Sequence, residues 1–339
     1  MFNLPAGFLS SFLKSQLFTT LPVPSTPFTG QTILITGANI GLGLEAARNF
    51  ARLDAKKIII GCRSLSKGLA AKASILASTK RTEEEGEVVI EVWEVDLASF
   101  ESVTAFCRKA GELERLDVVV ENAGIAVPTF ELVEGYESTI AVNVISTFLM
   151  ALLLVSKLRE SGAKYGVVPR LTIVASDAHE QAAFKEQNSK HIFEALTTGG
   201  QKEQPDKYNI SKLLEILTIR CLAPALSASS TPTKPNIILN TLTPGFCHSA
   251  LMRSARFPLN IAAYIGKLIL ARSTEVGSRT LVAAASAGED SHGCYMADCK
   301  VRQPSAWVRS EKGAETQKRV YSELMEILEG IQPGITGNI

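Results

Sequence analysis

The sequence predicts an α/β fold, built as a single doubly wound domain with a seven-stranded parallel sheet and a C-terminal lobe. From Gln31 onward, short runs rich in β-branched residues alternate with longer segments of helical periodicity, which is typical of βαβ units. Several of these short runs are continuously apolar, as strands covered by helices on both faces should be. No stretch between Gln31 and Asp298 resembles an interdomain linker, so one domain is the economical prediction.

Seven runs are predicted to be strands. They are Thr32–Ile35, Lys57–Ile60, Val88–Val95, Leu116–Val120, Leu171–Ala175, Asn236–Leu242 and Cys294–Ala297. The predicted organisation is an N-terminal extension (1–30), the doubly wound domain (31–299) and a C-terminal helical extension (300–339). Within the domain, residues 177–206 form an insertion and residues 246–275 a loop. Because long connections of this kind commonly carry function, we expect them to line a binding site.

Composition and charge exclude several classes of protein. Apolar residues make up 46% of the chain and charged residues 20%, which indicates a folded globular protein rather than a disordered one. The 35 basic and 34 acidic side chains leave a net charge of +1. No overall field therefore attracts nucleic acid or an anionic membrane, and a small-molecule partner is favoured.

The six cysteines follow no metal-ligand spacing, and we expect them to be reduced. Cys294 and Cys299 are the nearest pair, but no second pair or nearby histidine completes a zinc site, so no metal is predicted.

The apolar N-terminus is short and is interrupted by Pro5, Gly7 and Lys14, unlike a signal peptide or a membrane span. Its phenylalanines, Phe8, Phe12 and Phe18, either pack on the domain or touch a membrane surface weakly; packing is favoured. No membrane span is expected, and the predicted location is the cytoplasm.

A glycine-rich turn follows the first predicted strand and leads directly into a helical pattern. Glycines there permit a tight turn and let backbone amides approach a pyrophosphate, whose charge is met by the N-terminus of the next helix. The context, strand before and helix after, makes a dinucleotide site of the Rossmann type the preferred interpretation. The candidate residues are Thr36, Gly37, Asn39, Ile40, Gly41 and Gly43.

Arg63 follows the second strand, at the place where an NAD-binding protein carries an acidic residue for the ribose 2′-hydroxyl. A guanidinium suits the 2′-phosphate of NADP, whereas a carboxylate would repel it. The sequence therefore favours NADP(H). Asp96 follows the third strand, and Asn122, Ala123 and Gly124 follow the fourth, where they could hold the adenine and the nicotinamide ribose.

The spacing of Tyr208 and Lys212 places both side chains on one face of a predicted helix. An ammonium beside a phenol favours the phenolate, so Lys212, together with a bound nicotinamide cation, is expected to lower the pKa of Tyr208. Ser176, after the fifth strand, can hydrogen-bond a substrate oxygen, and the amide of Asn143 can hold a water that returns a proton to Lys212. The histidines His179, His191 and His248 have no partner at catalytic spacing and are left unassigned.

Five motifs in this order resemble the short-chain dehydrogenase/reductase family, over residues 31–298. The resemblance implies a catalytic tetrad and a nicotinamide cofactor. It also places Pro244 and Gly245 beside the nicotinamide and Ser249 where the family usually has a threonine that binds the carboxamide. The residues matching the tetrad are Asn143, Ser176, Tyr208 and Lys212.

Two features depart from the common family pattern: Glu121 replaces an asparagine, and the interval from Ser176 to Tyr208 is long. That interval and the phrases T-E-V-G-S-R-T-L and G-x-Y-x-x-D-C-K are most similar to retinol-dehydrogenase-like reductases of filamentous fungi. The resemblance implies secondary-metabolite tailoring and leaves a homo-oligomer open, since members are often dimers or tetramers.

We therefore expect an NADP(H)-dependent oxidoreductase that transfers hydride between nicotinamide and a ketone, aldehyde or secondary alcohol, with a C-terminal substrate lobe. Two alternatives stay open: a non-catalytic NADP-binding regulatory protein, and a membrane-peripheral retinol or steroid dehydrogenase. The apolar stretch Phe257–Leu270 is expected to form a wall over the substrate.

Overall fold

The structure, a computed structural model, describes residues 7–80, 82, 88–231, 234–248, 251 and 270–339. An eight-stranded sheet forms its centre, and seven of the strands run parallel. Each of the seven coincides with a predicted strand, so the predicted parallel sheet is confirmed. In chain order the strands are β1 Thr32–Thr36, β2 Lys57–Cys62, β3 Val89–Glu94, β4 Val118–Glu121, β5 Leu132–Val133, β6 Tyr136–Glu137, β7 Arg170–Val174, β8 Ile238–Thr243, β9 Tyr295–Ala297 and β10 Lys300–Arg302. Strands β5 and β6 form a separate hairpin.

The eighth strand, β10, is absent from the sequence prediction. It pairs antiparallel with β9 at the edge of the sheet, and all three of its residues are exposed. The turn between the two strands places Asp298 and Cys299 at φ values of 53° and 61°, a conformation usually marked in a sequence by glycine. The sequence did not predict β10 because its three residues are exposed and form no apolar pattern, and because no glycine marks the turn before it. The sheet thus continues three residues past the predicted boundary at 299.

Helices cover both faces of the sheet, as the doubly wound prediction requires. Helices α2, α3 and α9 pack with one apolar cluster, and α4, α6 and α8 with the other. Helix α10 packs on the outside of α8. The helices are α1 Phe8–Phe18, α2 Gly41–Arg52, α3 Leu65–Thr79, α4 Phe100–Gly111, α5 Ser138–Ile140, α6 Thr147–Tyr165, α7 Ile192–Thr198, α8 Gln204–Ala228, α9 Thr274–Ala285 and α10 Glu311–Ile331.

Strand β1 contributes side chains to the core on both faces of the sheet. All of its residues are buried, and successive side chains point to opposite faces. Ile33 and Ile35 belong to the cluster that includes α2, whereas Leu34 belongs to the cluster that includes α6. The continuous apolar run is therefore explained by two buried faces.

The order of the strands in the sheet indicates where a ligand would bind. Across the sheet the order is β10-β9-β8-β7-β4-β1-β2-β3, so the chain proceeds in one direction from β1 and in the other from β4. In an open α/β sheet the crevice at the carboxyl ends of the strands flanking this reversal binds ligands. The segments after β1 and β4 meet there.

Helix α1 packs against the domain. The rings of Phe8 and Phe12 stack with centroids 5.9 Å apart, and Phe12 lies 6.4 Å from the ring of Phe246. Phe18, at the end of the helix, is 81% exposed. Packing thus accounts for two of the three phenylalanines singled out in the sequence.

One helical segment, 138–165, is long and apolar enough to cross a membrane by length and composition. It comprises α5, one π-helical turn and α6, and 94% of its most apolar window is buried inside the fold. Core helices of globular proteins have the same properties, so this is weak support for a span.

Candidate active site

The glycine turn between β1 and α2 is shaped for close approach of a ligand. Gly37 and Gly41 have φ values of 67° and 64°, which favour glycine. A Cβ atom at Gly43 would lie 2.6 Å from both the Asn122 Nδ2 atom and the Gly37 carbonyl oxygen. Asn39 and Ile40 complete the turn, and α2 begins at Gly41 without a side-chain cap.

The first turn of α2 also contains no acidic residue. Its amides and the positive end of the helix dipole are therefore available to an anion, and the turn fits the pyrophosphate of a dinucleotide.

Asn122 holds this turn against the end of β4. Its Nδ2 atom donates to the carbonyl oxygens of Thr36, at 2.9 Å, and Gly37, at 3.4 Å. The backbone N–H groups of Asn122 and Ala123 both donate to the Thr36 hydroxyl at 3.0 Å. The N-A-G segment thus supports the glycine turn, a role in addition to the cofactor contacts expected for it.

Gly124 allows two site residues to approach the end of β4. A Cβ atom at this position would lie 3.1 Å from Asn143 Oδ1 and 3.7 Å from Lys212 Nζ.

Arg63 and Asp96 lie after β2 and β3, at the same edge of the sheet. Arg63 is exposed and makes no hydrogen bond or ion pair with another described residue. It directly precedes Ser64, which caps α3 by accepting a hydrogen bond from the backbone of Lys67. Asp96 is partly buried, and its Oδ1 atom accepts from the backbone of Ala98 at 3.0 Å. A guanidinium beside a helix N-terminus can bind a phosphate.

Helix α8 carries Tyr208 and Lys212 on one face. The Lys212 Nζ atom lies 5.8 Å from the centroid of the Tyr208 ring. The hydroxyls of Ser176 and Tyr208 are neighbours, and hydrogen bonding between them opposes the rise that burial causes in the pKa of Tyr208. The structure therefore brings together Ser176, from the turn after β7, and Tyr208 and Lys212, from α8.

The expected lowering of the Tyr208 pKa by Lys212 and a nicotinamide cation stays a prediction, and the protein's own groups act in the other direction. Burial raises this pKa above its ordinary value, and the charges of Glu215 and Asp177 raise it further against the effect of Ser176. Lys212 is itself paired: its Nζ atom donates to Glu215 Oε1 at 2.8 Å and to the Val174 carbonyl oxygen at 2.8 Å. The carboxylate of Glu215 therefore offsets part of the ammonium charge beside the phenol.

Asn143 lies in the π-helical turn, fully buried. Its Oδ1 atom accepts from the backbone of Ile125 at 2.8 Å, and its Nδ2 atom donates to the Ile125 carbonyl at 2.9 Å and the Ser211 hydroxyl at 3.0 Å. Both amide N–H groups are engaged. These contacts fix the segment after β4 to α8, and the expectation that this amide holds a water stays a prediction.

Asp177 and Thr243 belong to the site but were missed in the sequence. The Ser176 hydroxyl donates to Asp177 Oδ1 at 3.2 Å and accepts from the backbone of Ala178 at 3.1 Å. The Thr243 hydroxyl donates to the same Asp177 oxygen at 3.3 Å. Burial raises the pKa of Asp177, opposed by these hydrogen bonds. Adjacency to Ser176 was the available signal for Asp177; nothing marked Thr243 beyond its place before Pro244.

Pro244 and Gly245 lie directly after β8. The Pro244 carbonyl accepts a hydrogen bond from Arg272 at 3.4 Å, and Gly245 has a φ of 73°. Arg272 is buried and also forms an ion pair with Asp298 at 2.8 Å. Ser249 and most of the stretch 257–270 lie outside the described residues.

All six cysteines are free. Within the described ranges, no group of three or more His, Cys, Asp or Glu side chains is arranged to hold a metal ion.

A doubly wound sheet with a glycine turn, and a serine, tyrosine and lysine converging beside it, defines a class: dinucleotide-binding oxidoreductases of the Rossmann type. A family model described as short chain dehydrogenase matches residues 31–211. The chain belongs to the short-chain dehydrogenase/reductase family, whose members use nicotinamide cofactors.

Two similar relatives are fungal. The chain is 46% identical over 333 residues to the short chain dehydrogenase/reductase dmxR8 of Cryptosporiopsis sp., covering 96% of this chain and 99% of the relative. It is 39% identical over 325 residues to the short chain dehydrogenase FGM9 of Gibberella zeae, covering 96% and 93%. Among solved structures, an uncharacterised protein of Mycobacterium paratuberculosis shares the fold with a TM-score of 0.64 at 23% identity, covering 90% and 96%.

Proposed function

We propose that the chain is an NADP(H)-dependent oxidoreductase that interconverts a ketone or aldehyde and the corresponding alcohol. The observation that carries this proposal is the convergence of Ser176, Tyr208 and Lys212 at the carboxyl edge of the sheet. A phenol and a neutral hydroxyl that share a partly buried site can hold a carbonyl oxygen between them.

The nicotinamide, when bound, supplies or accepts the hydride. In reduction, Tyr208 donates its proton to the substrate oxygen while Ser176 turns its hydroxyl from Asp177 to the same oxygen. Lys212 stabilises the phenolate that results. In oxidation, Tyr208 removes the proton from the alcohol. The rigid parts of the protein orient these groups: α8 fixes Tyr208, and the turn after β7 fixes Ser176.

The preference for NADP(H) rests on Arg63. Its exposed guanidinium, without a protein partner among the described residues, lies one residue before the α3 cap. A 2′-phosphate there would accept charge-assisted hydrogen bonds from the guanidinium and would lie near the positive N-terminus of α3. No carboxylate at residue 63 would repel it.

A role in fungal secondary metabolism is part of the same proposal. Its support is the fungal origin of the similar relatives, dmxR8 and FGM9. The likeness extends over nearly the whole of both chains.

The test is oxidation of NADPH against a panel of ketones, quinones and aldehydes, with Tyr208→Phe as the inactive variant. We expect turnover with at least one carbonyl class, abolished in the variant. Tight NADPH binding with no turnover across the panel would instead favour a regulatory NADP-binding protein.

A second candidate is a membrane-peripheral retinol or steroid dehydrogenase. Three large apolar side chains of α1 are strongly exposed, Leu9 at 55%, Leu17 at 49% and Phe18 at 81%. An apolar helix surface of this kind can enter the headgroup region of a bilayer. Flotation with liposomes separates the candidates: we expect the wild-type protein to remain unbound under the first proposal, and to float, with Phe18→Ser weakening flotation, under the second.

A further inference from the structure

Helix α1 faces the rest of the domain along one stripe of its surface. The stripe consists of residues at positions i, i+4, i+7 and i+8 of the helix, a spacing that places side chains on the same side. They are Phe8, Phe12, Ser15 and Gln16. Outside the stripe, Leu9 and Leu17 are 55% and 49% exposed. The proposed chemistry uses none of these residues.

The stripe meets the chain where it leaves β8, which we call the post-β8 segment (residues 244–248). The ring of Phe12 lies 6.4 Å from that of Phe246. The side-chain amide of Gln16, with its nitrogen toward the neighbouring carbonyl oxygens, donates to those of Phe246 and Leu270 at 3.2 Å. Its oxygen accepts from the Phe246 N–H at 2.8 Å. Gln16 thus hydrogen-bonds both backbone groups of Phe246.

Arg272 joins the same helix to the post-β8 segment. Its side chain is 5% exposed, and its Nη2 atom donates to the Ser15 carbonyl oxygen at 2.7 Å and the Ser15 hydroxyl at 3.1 Å. Its Nη1 atom donates to the Pro244 carbonyl at 3.4 Å, and its backbone N–H donates to the Phe246 carbonyl at 2.9 Å. The ion pair with Asp298 compensates the buried charge. One buried guanidinium therefore fixes helix and segment to each other.

The close approach of α1 accounts for the glycine at position 245. Gly245 has a φ of 73°, and a Cβ atom there would lie 2.6 Å from the Gln16 amide and 2.9 Å from Arg272 Nη1. Backbone conformation and lack of space both require glycine. The segment is thus built to lie directly beneath α1.

Hydrogen bonds connect the post-β8 segment to Ser176. The N–H of Gly245 donates to the Thr243 hydroxyl at 3.1 Å. That hydroxyl donates to Asp177 Oδ1 at 3.3 Å, and the Ser176 hydroxyl donates to the same oxygen at 3.2 Å. The position of the segment is therefore coupled to that of the serine hydroxyl.

The other end of the segment packs beside the glycine turn. Gly277, in α9, lies between Cys247 and Leu42, which is in the first turn of α2. A Cβ atom at Gly277 would clash with Cys247 Sγ and lie 2.8 Å from Leu42 Cδ2. A dinucleotide with its pyrophosphate at the turn and its nicotinamide beside Ser176 would therefore extend along the post-β8 segment.

We propose that α1 and Arg272 hold the post-β8 segment in the conformation that receives the nicotinamide half of the cofactor. Phe12, Ser15, Gln16 and Arg272 are positioning residues, and this role rests on the proposed function. The adenosine half should not depend on α1. Arg63, its proposed ligand, follows β2, which lies four strand spacings from β8, or about 19 Å.

Hydrogen exchange of the free protein, followed by mass spectrometry, tests the contact without any nucleotide. In the double variant Phe12→Ala/Gln16→Ala, we expect the amides of residues 245–248 to exchange at least about 10-fold faster than in the wild type, because Phe246 loses its partners on α1. The amides of β1 should be unchanged. The matched control is Leu9→Ala/Leu17→Ala, which removes exposed side chains from the same helix and should exchange like the wild type.

Wild-type exchange at residues 245–248 in Phe12→Ala/Gln16→Ala would overturn the proposal. Should the double variant not fold, Gln16→Ala alone replaces it, since this change removes the hydrogen bonds to Phe246 and leaves the aromatic contact in place.

Calorimetric titration tests what the contact does for the cofactor. The two probes are NADPH and adenosine 2′,5′-bisphosphate, which has the 2′-phosphate but no nicotinamide. We expect Phe12→Ala/Gln16→Ala to bind NADPH at least about 10-fold more weakly than the wild type and to bind the bisphosphate with wild-type affinity. The control variant should bind both probes like the wild type.

Two outcomes of the titration would overturn the role in nicotinamide binding. Unchanged NADPH affinity would show that α1 plays no part, and equal losses for both probes would show that the helix only stabilises the fold as a whole. Failure of the wild-type protein to bind either probe would contradict the proposed function itself, and the exchange experiment would still decide whether α1 holds the segment.

Discussion

His179 joins Ser176 to the C-terminal segment of the chain. Its Nδ1 atom donates to the Ser176 carbonyl oxygen at 2.8 Å, and its Nε2 atom accepts from the backbone N–H of Ser305 at 3.1 Å. This pair of bonds requires the neutral imidazole with the proton on Nδ1. Burial lowers the pKa of His179 to about 4 despite the bond to Ser176. The histidine left unassigned in the sequence thus supports the turn that carries Ser176.

Acid should destabilise the protein through His179. The unfolded state binds this proton near pH 6.5, whereas the folded state binds it only near pH 4, so stability falls as the pH falls through that window. The contribution is on the order of 3 kcal/mol. Urea unfolding at a series of pH values measures the free energy of unfolding. As the pH falls, this free energy should decrease less in His179→Gln than in the wild type. The exposed His191→Gln should retain the wild-type slope; equal slopes in all three proteins would contradict the assignment.

Tyr208→Phe should bind NADPH with an affinity close to that of the wild type and lose turnover by a factor of about 10² to 10⁴, the usual contribution of a positioned acid. Fluorescence titration measures NADPH binding, and the rate of NADPH oxidation, followed by absorbance, measures turnover. Tyr165→Phe, on the exposed end of α6, is the matched control and should be fully active. Normal turnover in Tyr208→Phe would assign the proton transfer to another group.

Arg63→Ala should weaken NADPH binding about 10-fold to 100-fold and leave NADH binding nearly unchanged, since a charge-assisted hydrogen bond contributes about 1.5–3 kcal/mol. Isothermal titration with both nucleotides gives the ratio. Arg108→Ala, in the last turn of α4 and hence at the opposite edge of the sheet, removes the same charge and should change neither affinity. Equal losses for both nucleotides in Arg63→Ala would remove the proposed preference for the 2′-phosphate.

Gly43→Ala should damage the dinucleotide site, because the added methyl group meets Asn122 Nδ2 and the Gly37 carbonyl at 2.6 Å. Overpacking of this kind costs about 1–3 kcal/mol and should also weaken NADPH binding. Thermal unfolding and nucleotide titration measure the two effects. Gly111→Ala, in α4 with open space around the Cβ position, should keep wild-type binding and unfold at the same or a slightly higher temperature. If Gly43→Ala keeps the wild-type unfolding temperature and NADPH affinity, the turn accommodates the methyl group and the close approach is not required for binding.

The sequence by itself determined the parallel sheet, the glycine turn and the grouping of Tyr208 with Lys212. These features depend on local chemistry: apolar runs form buried strands, glycine permits positive φ, and a spacing of four places two side chains on one helix face. Each can be read within one short segment of chain.

Tertiary structure alone decided how the site is charged and supported. Burial raises the pKa of Tyr208, and Lys212 is paired with Glu215 and the Val174 carbonyl, neither of which the spacing of Tyr208 and Lys212 reveals. Asn143 likewise finds its partners in Ile125 and Ser211. The physical reason is that burial and electrostatic interactions depend on which groups share a low-dielectric space, and that is fixed only when separate strands and helices pack together.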